Sequence, residues 1–316
     1  THSHVAWIVF SMFLYGVILC FLGLTDAASA SYSPDVHSKI AIVYAFYQTD
    51  NALENVDFFR RHAVHDCKNY DYWFVVNGDK ADFVLPKQSN VKVLYRRNRG
   101  GDFAAWSYAL SKMDLARYDA FIFLNDTVRG PFLPRYLTMK YWPYYFTRQL
   151  DARIKLTGAS VNKMLHESPN QQHVQSMAFA TDKVGLRVLL DADIFSEGRA
   201  NDVLQRDGKL AYIKQFEVAA SQSIRQAGYY IDGLNTSVVS IKKPYGLYAN
   251  TYWSRFMQWI MDRYHSDLHY DERSNYGLRL HPLEVMFIKT NRIDNLIIQQ
   301  YTAWQDARLG AKGCAL

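Results

Sequence analysis

Two short stretches of this chain gather residue types that handle anions and cations. The first reads Arg96-Arg97-Asn98-Arg99-Gly100-Gly101-Asp102-Phe103. Paired glycines let a backbone turn tightly and come close to a ligand, and arginines neutralise phosphate oxygens. The second reads Asn125-Asp126-Thr127-Val128-Arg129-Gly130-Pro131. A carboxylate beside an amide and a hydroxyl suits a hard cation such as Mg2+ or Mn2+, with Arg129 on a phosphate nearby. Each stretch also has a plainer reading. The first would be a turn with solvated arginines and Asp102 as a helix N-cap, the second a structural turn closed by Gly130-Pro131. Asn125-Asp126-Thr127 is formally a glycosylation sequon. Asn235-Thr236-Ser237, expected in a turn, is the better acceptor of the two.

Such residues act together only if regular elements bring them to one place. Continuous apolar runs predict strands at 40–46, 72–76, 91–95, 120–124 and 154–160. Asn51 with Glu54 predicts a capping box, followed by a helical face of Leu53, Val56, Phe59 and Ala63. A second helix is expected over 101–113. Alternating strands and helices argue for an α/β domain with a mostly parallel sheet. Ligands of such sheets bind beyond the carboxyl ends of the strands, which here means after Phe46, Val76, Tyr95 and Leu124. The aromatic run at 141–146 suits either stacking on sugar-like rings or core packing.

Composition bounds the rest. Of 316 residues, 49% are hydrophobic and 21% charged, which excludes disorder and collagen-like or disulfide-dense scaffolds. A net charge of +6 without a Lys/Arg-rich stripe argues against a nucleic-acid partner and suits an anionic substrate or membrane surface. Three cysteines without a C-x-x-C pair leave no zinc site, and a Cys67–Cys314 disulfide stays open. Residues 6–24 carry no charge and match a bilayer's hydrocarbon core in length, so a single-pass anchor is expected there. The rival is a cleavable signal peptide ending near Ala27-Ala28-Ser29-Ala30. The organisation expected is a stub at 1–5, the anchor at 6–24, a stem at 25–38, one domain at 39–300 and a tail at 301–316.

The order Asn98-Arg-Gly-Gly-Asp-Phe-Ala-Ala-Trp106, a helix, then Tyr118 to Thr127 resembles the donor half of GT-A glycosyltransferases of inverting family 2. It is closer to a rhamnan-synthesis-type branch, whose strand ends in Asn-x-Ser/Thr-x-Arg-Gly-Pro. His173-Val-Gln-Ser176 and His281 to Arg292 are similar to that branch's later blocks, and Phe216-Glu217 resembles the family-2 helix that carries the catalytic carboxylate, so the resemblance spans about 39–292. Two departures stand out: Asn125-Asp126-Thr127 replaces Asp-x-Asp, and Glu217 is followed by Val218.

The resemblance implies a single Rossmann-like GT-A domain that moves a sugar from a nucleoside-diphosphate sugar to a glycan or glycoconjugate acceptor, with inversion. It implies Glu217 as general base and Asp126 on Mg2+ or Mn2+. Asn98, Gly100, Gly101, Asp102, Asn125, Arg129, Lys289 and Arg292 would line the donor side, and His173 and Gln175 the acceptor side. For His173 a structural role is the competing reading. The lost carboxylates also admit a different class, a degenerate transferase-like domain serving as an accessory subunit of a membrane complex. A stem and single anchor suit the Golgi or endoplasmic reticulum with a lumenal domain; a processed amino terminus would suit a mitochondrial or plastid inner membrane instead.

Overall fold

The computed structural model describes residues 35–162, 172–235, 280–292 and 295–310. All of them fall in the second of two compact units, residues 33–316. The expected anchor at 6–24, the stub, Cys314 and all but the last four stem residues lie outside the described residues. Among the described residues no helix is long and apolar enough to cross a membrane.

The strands are β1 (Ile40–Phe46), β2 (Tyr70–Asn77), β3 (Val91–Arg96), β4 (Ala120–Asn125), β5 (Val128–Arg129), β6 (Ile154–Gly158), β7 (Val161–Asn162), β8 (His173–Val174), β9 (Ala178–Asp182), β10 (Tyr230–Gly233) and β11 (Ile288–Lys289). Seven form one sheet in the order β10-β6-β9-β4-β1-β2-β3. β1 lies parallel to β2 and β4, β2 to β3, and β6 to β10. Among the described strands of this sheet, only β9 runs against its neighbours, β4 and β6. The expected mixed α/β architecture with a mostly parallel sheet is therefore present, with one reversed strand. That reversal matters for the site, because β9 begins where its parallel neighbours end.

The helices are α1 (Asp50–His62), α2 (Gly101–Leu110), α3 (Trp142–Thr147), α4 (Lys183–Asp191), α5 (Glu197–Arg206), α6 (Gly208–Tyr212), α7 (Ala219–Gln226), α8 (Pro282–Val285) and α9 (Asn295–Gly310). Every residue of β1, β2 and β4 is buried, the pattern of strands covered on both faces. One core cluster joins Ala41, Val43, Phe103, Trp106, Phe123 and Phe179. Trp106 donates its indole N–H to the Leu124 carbonyl at 3.1 Å, fixing α2 against the end of β4.

Several local expectations need correcting. α1 is capped by Thr49, whose hydroxyl accepts from the Ala52 N–H, and not by Asn51; Glu54 turns to Arg129 instead. In the run at 141–146 the core reading holds for Trp142 and Phe146, which are fully buried and meet Phe287, while Tyr141, Tyr144 and Tyr145 are half-buried. α9 runs across the boundary drawn at 300. Its Asp306 meets His62 and Arg61 on α1, and Arg308 donates to the Leu133 carbonyl, so these residues belong to the domain and are no separate tail. Asn235 of the second sequon is buried and accepts from the Val161 N–H, which removes it as a glycan acceptor.

Candidate functional site

The carboxyl ends of β1 and β4, the first turn of α2 and the start of β9 lie at the same end of the sheet. Asn125, the last residue of β4, donates its side-chain Nδ2 to Asp102 at 2.8 Å, and its side-chain Oδ1 accepts from the Thr127 hydroxyl at 2.6 Å. Asp102 is thus no N-cap; Gly100 holds the cap position and Asp102 sits in the first turn of α2. Asp126 accepts a hydrogen bond from the Tyr47 N–H just past β1, while Asn55 donates to the Asp126 carbonyl and to Thr290. Its carboxylate therefore turns toward the end of β1. Burial, and then the charge of Asp102, push the Asp126 carboxyl up to about 7. Burial also raises Asp102, with Glu217 adding to the rise and Lys289 opposing it.

Glu217 lies in a wide π turn, Ile213–Val218, that interrupts the run from α6 into α7. Such turns recur at functional sites because they rotate one side chain out of helical phase. Its Oε1 meets His173 Nε2 at 3.1 Å, and its Oε2 accepts from the Ser176 N–H at 2.8 Å and from the Ser176 hydroxyl. Burial alone would raise this carboxyl, but those hydrogen bonds and the His173 charge outweigh it and hold it down at about 2. Ser176 reaches Glu217 because β9 is antiparallel; the Met177 carbonyl accepts from the Asn125 N–H, seating the segment beside β4. Lys289, half-buried on β11, sends its charge to both Asp102 and Glu217. No ion-pair partner meets its ammonium among the described residues.

Other expected site residues are placed differently. Arg129 is buried and donates to Asn55, Glu54 and Thr302, so it holds β5 to α1 and α9 and does not face the cleft as a free cation. Arg96 is likewise buried, on Asn77, the Arg99 carbonyl and Glu197. Arg97, Asn98 and Arg99 are exposed. Gly100 and Gly101 are both left-handed, and each faces protein: a Cβ at Gly100 would lie 2.8 Å from the Asn201 nitrogen, and one at Gly101 2.8 Å from the Tyr212 hydroxyl. Gln175 is buried and accepts from the Ser160 hydroxyl, so it braces the segment and does not face an acceptor. His173 is 1% exposed and stands behind Glu217, the structural reading. Arg292 is exposed in the turn after β11.

Sequence reasoning missed Tyr212, the Tyr47 amide and the role of Ser176. The first two carry no motif, and Ser176 had only its place after His173 as a signal. As for a divalent cation, Asn125 and Thr127 bond to one another, leaving Asp126 as the available carboxylate of that trio. Among the described residues no group of three or more His, Cys, Asp or Glu side chains converges. Asp126, with Asp102 close enough for its charge to be felt, is a half-buried carboxylate of the kind that holds Mg2+ or Mn2+ as an ion shared with a ligand's phosphates, the usual way such small hard ions are held.

Residues 79–252, more than half of the chain, match the family model described as rhamnan synthesis protein F. Asp102, Asp126, His173 and Glu217 fall within the matched region and Lys289 beyond it. No curated protein matches the chain. Among solved structures, the mannosyltransferase PcManGT from Pyrobaculum calidifontis, in complex with GDP-Man and Mn2+, is 11% identical with a TM-score of 0.40, over 98% of this chain and 87% of that one.

Proposed function

The chain belongs to the rhamnan synthesis protein F family, and we propose that it transfers a sugar from a nucleoside-diphosphate sugar to a hydroxyl of a glycan or glycoconjugate. The observation that carries this reading is the convergence at the carboxyl ends of β1 and β4, where Asn125 donates to Asp102, Asp126 accepts from the Tyr47 N–H, and Ser176, seated beside β4, donates to Glu217. Asp102 and Glu217 both feel the charge of Lys289. Cleaving the sugar–phosphate bond leaves an anionic diphosphate and an electron-poor sugar. Lys289 supplies fixed positive charge to the first, where charge develops. Asp126, with Asp102 beside it, would hold Mg2+ or Mn2+, whose chemistry is further neutralisation of that leaving group. Glu217, kept ionised by His173 and Ser176, accepts the proton of the acceptor hydroxyl as that oxygen attacks. A GT-A-type domain, inversion at the anomeric carbon, an anchor at 6–24 and a lumenal setting in the Golgi or endoplasmic reticulum belong to the same proposal, on the family resemblance and the apolar run.

The test is calorimetric binding of nucleoside diphosphates with and without Mn2+, alongside transfer by wild type and Glu217→Gln. Saturable binding, with transfer falling about 10²–10⁴-fold in the variant while binding persists, is the expected result. A second reading is favoured by the mutual bonding of Asn125 and Thr127, which closes two of the three positions at the end of β4: an accessory subunit without turnover. Absence of nucleoside-diphosphate binding, with co-purification in a stable membrane complex, would establish that one.

A further inference from the structure

Tyr212 is the last residue of α6, immediately before the π turn that carries Glu217. Its hydroxyl donates to the Gly100 carbonyl at 3.0 Å and accepts from the Phe103 N–H at 3.1 Å. It thereby occupies one of the N–H groups that the start of α2 would otherwise offer to a ligand. Its ring lies 5.0 Å from that of Phe216 and 6.0 Å from that of Phe103. Gly101 sits at φ +62°, and its missing side chain is what lets the phenol approach: an added Cβ would lie 2.8 Å from the hydroxyl. Burial raises the Tyr212 phenol, and the charges of Asp102 and Glu217 raise it further, so the hydroxyl stays protonated and able to donate.

We propose that Tyr212 is a positioning residue whose hydroxyl locks the turn at 100–102 to the segment bearing Glu217, and so sets the spacing of donor-side and acceptor-side groups. This rests on the transferase reading of the site. A Phe at this position keeps the ring between Phe103 and Phe216, so the core is retained and only the lock is lost. Transfer needs reacting groups aligned to within a fraction of an ångström, whereas donor binding depends on one side of the site alone. The lock therefore acts on turnover more than on binding.

The experiment compares wild type, Tyr212→Phe, Gly101→Ala and the double variant, with nucleoside-diphosphate affinity, kcat and donor KM measured for each. Tyr212→Phe is expected to lower kcat at least tenfold with affinity and donor KM within threefold of wild type. Gly101→Ala is expected to lower kcat by a similar factor in wild type but by a clearly smaller factor in the Tyr212→Phe background, since the oxygen at 2.8 Å is gone and only the ring carbon at 3.2 Å remains; the left-handed strain is common to both and cancels in the cycle. A kcat within twofold of wild type in Tyr212→Phe, or equal Gly101→Ala losses in both backgrounds, overturns the proposal. Amide exchange reads the lock without turnover: in Tyr212→Phe, exchange at Phe103 and across 213–218 should rise together, at least tenfold. A rise at Phe103 alone overturns the lock. Joint acceleration in a protein that transfers no sugar would uphold the lock and overturn the transferase reading instead.

Discussion

Asp126 and Glu217 titrate in opposite directions, and the difference gives a pH signature. Asp126 rises from 3.8 to about 7, burial first and Asp102 second. Between those values the unfolded chain is ionised there and the folded protein is not, so stability falls as pH rises through that window. Glu217 drops from 4.5 to about 2 against its own burial, through His173 and Ser176. Its contribution is fully present above about 4.5 and is lost as pH falls toward 2. In metal-free protein, Asp126→Asn should raise thermal stability at pH 8, by on the order of a few kcal/mol, and leave it unchanged at pH 4. Glu217→Gln should lower stability at pH 7 and not near pH 2. Thermal melts across pH check both, and an Asp126→Asn gain that is equal at pH 4 and pH 8 would contradict the assignment. These shifts were not legible in the sequence. Glu217 was singled out there as a base, but the groups that hold it ionised lie 41 and 44 residues away.

At the scale of elements, the start of α2 is built around two adjacent left-handed glycines. The sequence marked them as a backbone able to approach a ligand. The structure shows the approach is made by protein, with α5 over Gly100 and Tyr212 over Gly101. Gly100→Ala places a Cβ 2.8 Å from the Asn201 nitrogen, a backbone atom that cannot swing aside, at φ +69°. A loss of about 1–3 kcal/mol from the conformation alone is expected, and more from the clash. Denaturant unfolding measures it; a cost below about 0.5 kcal/mol would mean that α5 yields. The strands are readable because β1, β2 and β4 contain unbroken apolar runs at 40–46, 72–76 and 120–124. The π turn was not, since nothing in Ile213–Val218 departs from ordinary helical composition. Nor was the reversal of β9, which brings Ser176 to the site: orientation depends on which neighbours pair, not on the strand's own residues.

For the whole molecule, Arg129 shows how a motif residue can be structural. It joins β5 to α1 and, 173 positions along the chain, to Thr302 on α9. Arg129→Ala would leave the Asn55 amide oxygen and the Glu54 carboxylate without this donor. A loss of roughly 1–3 kcal/mol is expected from the unpaired buried group, with nucleoside-diphosphate affinity within twofold of wild type. A large fall in affinity at unchanged melting temperature would instead return Arg129 to the diphosphate. Because α9 carries Thr302, Asp306 and Arg308 into contacts with the body of the domain, its integrity should track that of the fold as a whole.

The sequence by itself determined the class of fold, the family and the edge of the sheet where chemistry would gather. Apolar periodicity decides which segments are strands, and parallel strands deliver their carboxyl ends to one side. It also singles out Asp102 and Asp126 by their place at strand ends, and Glu217 through the family resemblance, as the candidates for that chemistry. Only the tertiary structure decided what each polar group faces. It turned Arg96, Arg129, His173 and Gln175 inward, left Lys289 with its charge on two carboxylates, and tied Tyr212 to the turn at Gly100 and Phe103. The physical reason is that charge and hydrogen-bonding partners are fixed by distance in space, and these partners lie tens to hundreds of residues apart along the chain.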